Sequence, residues 1–243
     1  MAQESQQKTG LVVSAHAADF VWRAGGAVAL YAKRGYRMVV VCLSYGERGE
    51  SAKMWRQAGM TLEQVHAARA EEAAAAAKLL GAEIIELNLQ DYPMRVEVET
   101  LYQLADLYRE LMPEFVLTHS LEDPYNFDHP LAASVAQEAR IIAQAHGHNP
   151  GGKVLGAPPV FLFEPHQTEQ CNWKPQLFLD ITEVFDLKRQ AFELMNAQEY
   201  LWDYYTRVAL NRGVQAARNS GKSHIKYAEA YQRVFPTVTD AFA

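Results

Sequence analysis

The chain has 243 residues, enough for one large domain with a substantial core, and its 49% hydrophobic content is that of a globular protein. A formal net charge of -6 excludes an overall attraction for nucleic acid or anionic lipid, although a local arginine cluster can still seat an acidic small molecule. Two cysteines, Cys42 and Cys171, exclude a disulfide framework. No apolar run reaches the ~18 residues that a membrane span needs. The first ten residues are polar and lack an apolar signal core, so cytoplasmic residence is expected.

Short apolar runs alternate with longer helical ones. Leu11 to Ala15 reads as a buried strand, and Ala24 to Arg34 as a helix that stops at Gly35. Met38 to Ser44 is a second strand. Leu62 to Leu80, rich in Ala and Glu, is a strong helix ended by Gly81. Glu83 to Leu89 is a third strand, Leu101 to Leu111 a helix closed by Pro113, and Phe115 to Thr118 a fourth strand. Pro130 to Ala145 is a helix with proline in its first turn. The Gly/Pro-rich stretch from His148 to Pro159 reads as a surface loop. Val160 to Phe163 and Leu177 to Ile181 are further strands. Glu183 to Arg207 reads as one long helix or two, and Ile225 to Arg233 as another. The expectation is a single α/β domain over residues 1–243 with a helical C-terminal region from about 183. Its fold is a Rossmann-like, mostly parallel sheet with helices on both faces.

In such a sheet, ligands bind beyond the carboxyl ends of the strands. The polar groups with chemical potential gather there. His16 and Asp19 follow the first strand, and Glu47, Arg48 and Glu50 the second. Asp91, Tyr92 and Arg95 follow the third, and His119, Asp123, Asn126, Asp128 and His129 the fourth. Glu164 and His166 follow the fifth. A scatter without function would leave about half of them at the other end of the sheet. His16-x-x-Asp19 brings an imidazole and a carboxylate together from one turn, and His129 completes a facial set from a neighbouring loop. Two nitrogens, one carboxylate and open positions suit a divalent metal such as Zn2+. Asp123 and Asp128 are placed to orient the histidines from behind. His66, His146, His148 and His224 read as surface residues, and the four tryptophans as packing. No Walker loop or Gly-x-Gly-x-x-Gly fingerprint is present, so no nucleotide is implied.

The segment VVSAHAADFVWRAGG resembles the opening motif of the LmbE-like, PIG-L type deacetylase superfamily, a strand followed by Ala-His-Pro-Asp-Asp-Glu and a Gly-containing helix. HSLEDPYNFDHPLA is similar to its second motif, which ends in His-x-Asp-His. ARAEEAAAAAKLLGAE and DLKRQAFELMNAQEY match two of its helices, in the right order. The resemblance implies an LmbE-like fold with zinc bound by His16, Asp19 and His129. It also locates departures. The deacetylase general base corresponds here to Ala18, the motif's Glu to Phe20, and the oxyanion-stabilising His to Asn126. Loss of a general base costs ~10²–10⁴ in rate, which counts against amide hydrolysis.

The same metal set without that base resembles a hydratase branch of the superfamily, which acts in gallate and protocatechuate breakdown. The stretches CLSYGERGESAK, DYPMR, DPYNFDHPLA and FEPHQ carry this likeness. It implies addition of water to a carbon–carbon double bond of a tricarboxylic keto acid. Glu50 and His166 are the expected acid/base residues, with Glu47 a weaker candidate. Arg48, Arg95, Tyr125 and Asn126 are the expected substrate-binding residues, with Tyr92, Lys53 and Arg56 as alternates. The alternative is a zinc-dependent N-acetyl amino sugar deacetylase with a relocated base such as Glu50. A non-catalytic metal-binding module would not need so many acid, base and arginine groups on one rim. A homo-oligomer is expected, with the aromatic residues Tyr200, Trp202, Tyr204, Tyr205 and Phe235 serving either an interface or the core.

Overall fold

The computed structural model of the chain describes residues 7–240. Its elements run β1 (Thr9–Ser14), α1 (Asp19–Lys33), β2 (Arg37–Ser44), α2 (Ala52–Trp55), α3 (Leu62–Leu80), β3 (Ala82–Leu89), α4 (Val98–Leu111), β4 (Phe115–Thr118), α5 (Asp128–Gln144), β5 (Val160–Phe163), β6 (Leu177–Asp180), α6 (Phe185–Leu194), α7 (Trp202–Ser220) and β7 (Ala228–Arg233). Short 3-10 turns at Thr182–Val184 and Asn196–Leu201 flank α6.

Local chemistry sets several boundaries. α3 opens with a capping box in which the Thr61 side chain accepts from Gln64 N while the Gln64 side chain accepts from Thr61 N. It closes at Gly81, whose φ of +79° is left-handed and suits glycine. The sheet order is β3-β2-β1-β4-β5-β7-β6. The first five strands in that order run parallel, and β7 is antiparallel to both β5 and β6. Alternate residues of the central strands feed two cores. Val12 and Val40 pack with α1, α3, α6 and α7, while Leu11, Val13, Val39 and Val41 pack with α4 and α5. Among the described residues, no helix is long and apolar enough to cross a membrane.

Two expectations need correction. Ile225 to Arg233 is not a helix, because residues 228–233 form β7. The Ala- and Glu-rich sequence favours helix locally, but β7 fills the gap between β5 and β6, and pairing on both sides outweighs that preference. The C-terminal region is therefore helical only as far as Ser220 and then returns to the sheet. The segment from 183 to 207 divides into α6 and α7 at the 3-10 turn Asn196–Leu201. α1 also starts at Asp19, earlier than Ala24, and this puts Asp19 and Arg23 on one helical face.

Candidate metal centre and catalytic cleft

β1 connects to β2 on one side, while its other neighbour is β4. Their carboxyl ends therefore flank a crevice at the point where strand order reverses, the place where α/β sheets bind ligands. The turn after β1 is tied down by Ser14 Oγ donating to His16 O at 2.8 Å. Asp19, the first residue of α1, accepts from His16 N at 3.0 Å. Negative charge at a helix N-terminus is favourable, which helps to hold this carboxylate ionised.

Four buried or half-buried groups converge there. The ligand atoms of His16, Asp19, Glu50 and His129 all lie within 4.8 Å of one another. His16 Nδ1 is 3.1 Å from Asp19 Oδ2 and 3.2 Å from Glu50 Oε1. His129 Nε2 is 3.4 Å from Asp19 Oδ1 and 3.8 Å from Glu50 Oε1. The far nitrogen of each ring is held by a carboxylate: His129 Nδ1 by Asp123 at 2.8 Å and His16 Nε2 by Asp128 at 3.3 Å. When each outer nitrogen donates to its carboxylate, both inner lone pairs point into the cluster. His129 Nε2 and Glu50 Oε2 are buried there with no hydrogen-bond partner. Two carboxylates facing two ring nitrogens leave negative charge there that either a bound cation or protonation of the histidines balances. The donor set of two imidazoles and two carboxylates fits a divalent metal ion.

The electrostatics agree. Burial alone would push both histidines down, but the surrounding carboxylates outweigh it, raising His16 well above its ordinary range and His129 to about 9. Burial likewise opposes ionisation of Asp19 and Glu50. The neighbouring histidines prevail, holding Asp19 well below the usual carboxylate range and Glu50 at about 2. His119 behaves differently. Its Nε2 accepts from Ala15 N at 2.9 Å, its ring stacks on His129 with centroids 4.3 Å apart, and burial together with the His129 charge keeps it neutral.

Glu50 is positioned by the loop after β2. Asp91, itself buried, accepts from Arg48 N at 2.9 Å and from Gly49 N at 2.7 Å. Gly46 has φ +70°, and a Cβ there would crowd Glu50 and His16. A Cβ at Gly49 would overlap the Tyr92 ring. Asp128 pins the opposite wall by accepting from Tyr92 N at 3.2 Å and Met94 N at 3.0 Å, across the cis Tyr92–Pro93 bond.

Beside the cluster opens a cleft of about 220 Å³. It is bordered by Asp19, Glu50 and His129 and brings in His166, Tyr125 and Asn126, so these sequence candidates share one space. Asn126 Nδ2 reaches Glu50 Oε1 at 3.5 Å. His166 stacks on Tyr204 at 4.2 Å between centroids, and burial and the Arg23 charge lower its pKa. Arg48 and Arg95 are not among the residues that line this cleft. Both are exposed: Arg48 reaches Gln90 Oε1 at 3.4 Å, and Arg95 folds back onto Met94 O at 3.2 Å. Glu47 is buried and turned towards His66 at 3.1 Å, so His66 is not the free surface residue that its sequence position suggests. Glu164 is engaged by Arg212.

The residues missed in the sequence are Arg23, Gln167, Gln198, Tyr200 and Tyr205, all of which border the cleft. Arg23 stands one helical turn after Asp19, a spacing that becomes a signal only once the helix is seen to begin at Asp19. Gln198, Tyr200 and Tyr205 arrive from the far C-terminal region, and no local pattern assigns them to the rim. The aromatic residues of that region divide between roles. Tyr205 is buried and stacks on Trp22, whereas Tyr200 and Phe235 are exposed.

Comparison with known proteins agrees with this architecture. The family model for GlcNAc-PI de-N-acetylase, PIG-L, matches residues 11–140. A protein of Pseudomonas putida strain KT2440 described as a 4-oxalmesaconate hydratase is 63% identical over 240 residues, covering 98% of this chain and 93% of that one. A crystal structure of the 4-carboxy-2-hydroxymuconate hydratase from the same strain superposes with a TM-score of 0.96 at 62% identity, covering 98% of this chain and 100% of that one. An N,N'-diacetylchitobiose deacetylase from Pyrococcus horikoshii shares the fold, with a TM-score of 0.75 at 22% identity over 93% of this chain and 84% of that one. By its matched motifs, its sheet and its near-full-length relatives, the chain belongs to the PIG-L, or LmbE-like, family and to the hydratase branch within it.

Proposed function

We propose that the chain is a hydro-lyase that adds water to the carbon–carbon double bond of 4-oxalomesaconate, giving 4-carboxy-4-hydroxy-2-oxoadipate in the breakdown of gallate and protocatechuate. The observation that carries this reading is the 63% identity to a 4-oxalmesaconate hydratase across 98% of the chain. The site supports it independently. The deacetylase base position is Ala18, a buried methyl group that cannot take a proton. Acid/base groups remain, but they are set around the cleft rather than at that position.

Zn2+ would be held by His16, Asp19 and His129, which leaves Glu50 of the same group free to act as a base. When bound, it supplies Lewis-acid polarisation and can bring the pKa of a bound water towards ~7. The remaining steps belong to the protein. Glu50, ionised and facing the cleft, takes a proton from water as the C–O bond forms at the substituted alkene carbon. The π pair moves to the neighbouring carbon, next to a carboxylate that shares the developing charge. His166 hands that carbon a proton, and in the reverse direction removes it. Asn126 holds the Glu50 carboxylate, and the Tyr125 hydroxyl is a donor for a substrate oxygen.

The test is to mix metal-loaded protein with 4-oxalomesaconate and follow loss of the conjugated absorbance, beside a chelator-treated sample. Rapid, metal-dependent loss with formation of the hydrated product is expected. Acetate release from an N-acetyl amino sugar, without hydration, would instead establish a deacetylase whose base has moved.

A further inference from the structure

A substrate with three carboxylates enters a cleft whose own walls carry Asp19, Glu50 and Asp123. Some positive charge must receive it. Of the described side chains that border the cleft, Arg23 alone is a permanent cation. We propose that Arg23 is the carboxylate-binding residue of the site, presenting its guanidinium fork to one carboxylate of the substrate beside the metal group. This inference rests on the tricarboxylate hydratase reading.

Three observations carry it. Arg23 is 8% exposed, so the charge has been taken out of water and must be compensated at that spot. The carboxylates of Asp19, Asp123 and Glu50 lie near enough to favour its charge, but its hydrogen bonding within the protein is partial. Nη1 donates to Glu164 O at 3.2 Å, and Nε lies 3.4 Å from Asp19 Oδ1 but makes no hydrogen bond there. Of the five N–H donors on a guanidinium, one therefore has an acceptor among the described residues. Finally, the side chain is anchored by its bond to Glu164 O and by the nearby Asp19 carboxylate. It rises from the first turns of α1, one turn after Asp19, and Trp22 beside it stacks on Tyr205 with centroids 5.5 Å apart. A rigid, desolvated fork with open donors suits planar, bidentate recognition of a carboxylate. Gln167 and Tyr200 border the same cleft and add neutral donors. Arg48 and Arg95 offer the same chemistry from outside it, exposed to water, where a charge contact is worth much less.

The experiment compares Arg23→Gln, Arg23→Lys, Arg48→Gln and Arg95→Gln with the wild type. KM for 4-oxalomesaconate is measured, with calorimetric affinity for the unreactive propane-1,2,3-tricarboxylate and bound metal by elemental analysis. Loss of a charge-assisted pair should weaken binding roughly 10- to 100-fold in Arg23→Gln. Metal content should stay at the wild-type level, which separates a substrate contact from an effect through Asp19. Arg23→Lys should recover part of the loss, and it also serves if Arg23→Gln does not fold. Unchanged KM and tricarboxylate affinity in the Arg23 variants, or a loss confined to Arg48→Gln or Arg95→Gln, would overturn the assignment. A wild type that binds the tricarboxylate through Arg23 yet does not hydrate 4-oxalomesaconate would sink the substrate reading and leave the Arg23 site standing.

Discussion

At position 18 a wholly buried methyl group stands where the resemblance to the deacetylases expects a carboxylate. In the proposed function the proton chemistry falls to Glu50 and His166, and their electrostatics predict a specific pH behaviour. His166 faces Arg23, Asp123, Glu50 and His129 across the cleft and packs on Tyr204 and Tyr205. Burial, followed by the Arg23 charge, lowers its pKa below that of a free imidazole, so it is mostly neutral at pH 7. A neutral imidazole can remove a proton from carbon but cannot deliver one. In the dehydration direction kcat/KM should therefore fall as pH drops through the lowered pKa. In the hydration direction it should fall as pH rises through the same value. His166→Gln should remove both limbs and cost ~10²–10⁴ in kcat, as should Glu50→Gln. Limbs that persist in His166→Gln would assign the proton transfer to another residue. The candidate ligand and acid/base residues were legible in the sequence because each lies in the segment after a strand or in the first turn of the helix that ends it. Arg23 was not, because the helix appeared to begin at Ala24, and without the turn from Asp19 to Arg23 the arginine had no face.

α1 carries both ends of the site, and its middle is held in an unusual way. Glu229 of β7 reaches it from across the core, accepting from Gly26 N at 2.7 Å and Ala27 N at 2.8 Å. The same carboxylate accepts from Lys188 Nζ at 2.5 Å and Tyr231 Oη at 2.6 Å, and Glu229 and Lys188 are both buried. A Cβ at position 26 would come within 2.8 Å of Glu229 and 2.7 Å of Ile181, which explains the glycine. Breaking such a pair from one side leaves a buried charge alone. Glu229→Ala or Lys188→Met should each cost about 3–5 kcal/mol in denaturant unfolding. The double variant should cost less than the sum of the two. Additive losses would show that the two groups do not act as a pair. This arrangement also explains why β7 was misread. AEAYQR has the composition of a helix, and the reason for its glutamate lies in α1, some two hundred residues earlier in the sequence. The strands that bear the metal group were legible because they are short, apolar and bounded by turns. β7 is polar and antiparallel, so neither cue applied.

Across the whole molecule, the sheet brings charge of one sign to a single point. Asp19, Glu50, Asp123 and Asp128 surround His16 and His129 at the carboxyl ends of β1, β2 and β4. These residues come from segments far apart in the chain, with His16 and Asp128 separated by 112 residues, so the cluster exists only in the folded state. A divalent ion placed there binds the native chain and not the unfolded one, and its binding free energy adds to folding stability. With free metal 1,000-fold above its Kd the gain is about 4.1 kcal/mol. For a chain of this size that corresponds to ~8–16 °C in Tm. Chelation should therefore lower Tm by about that amount, and Zn2+ should restore it. In Asp19→Ala, which removes the carboxylate that both histidines face, the same chelator should have little effect on Tm. A wild-type Tm that does not respond to chelator or to added zinc would mean that the four groups balance one another without an ion.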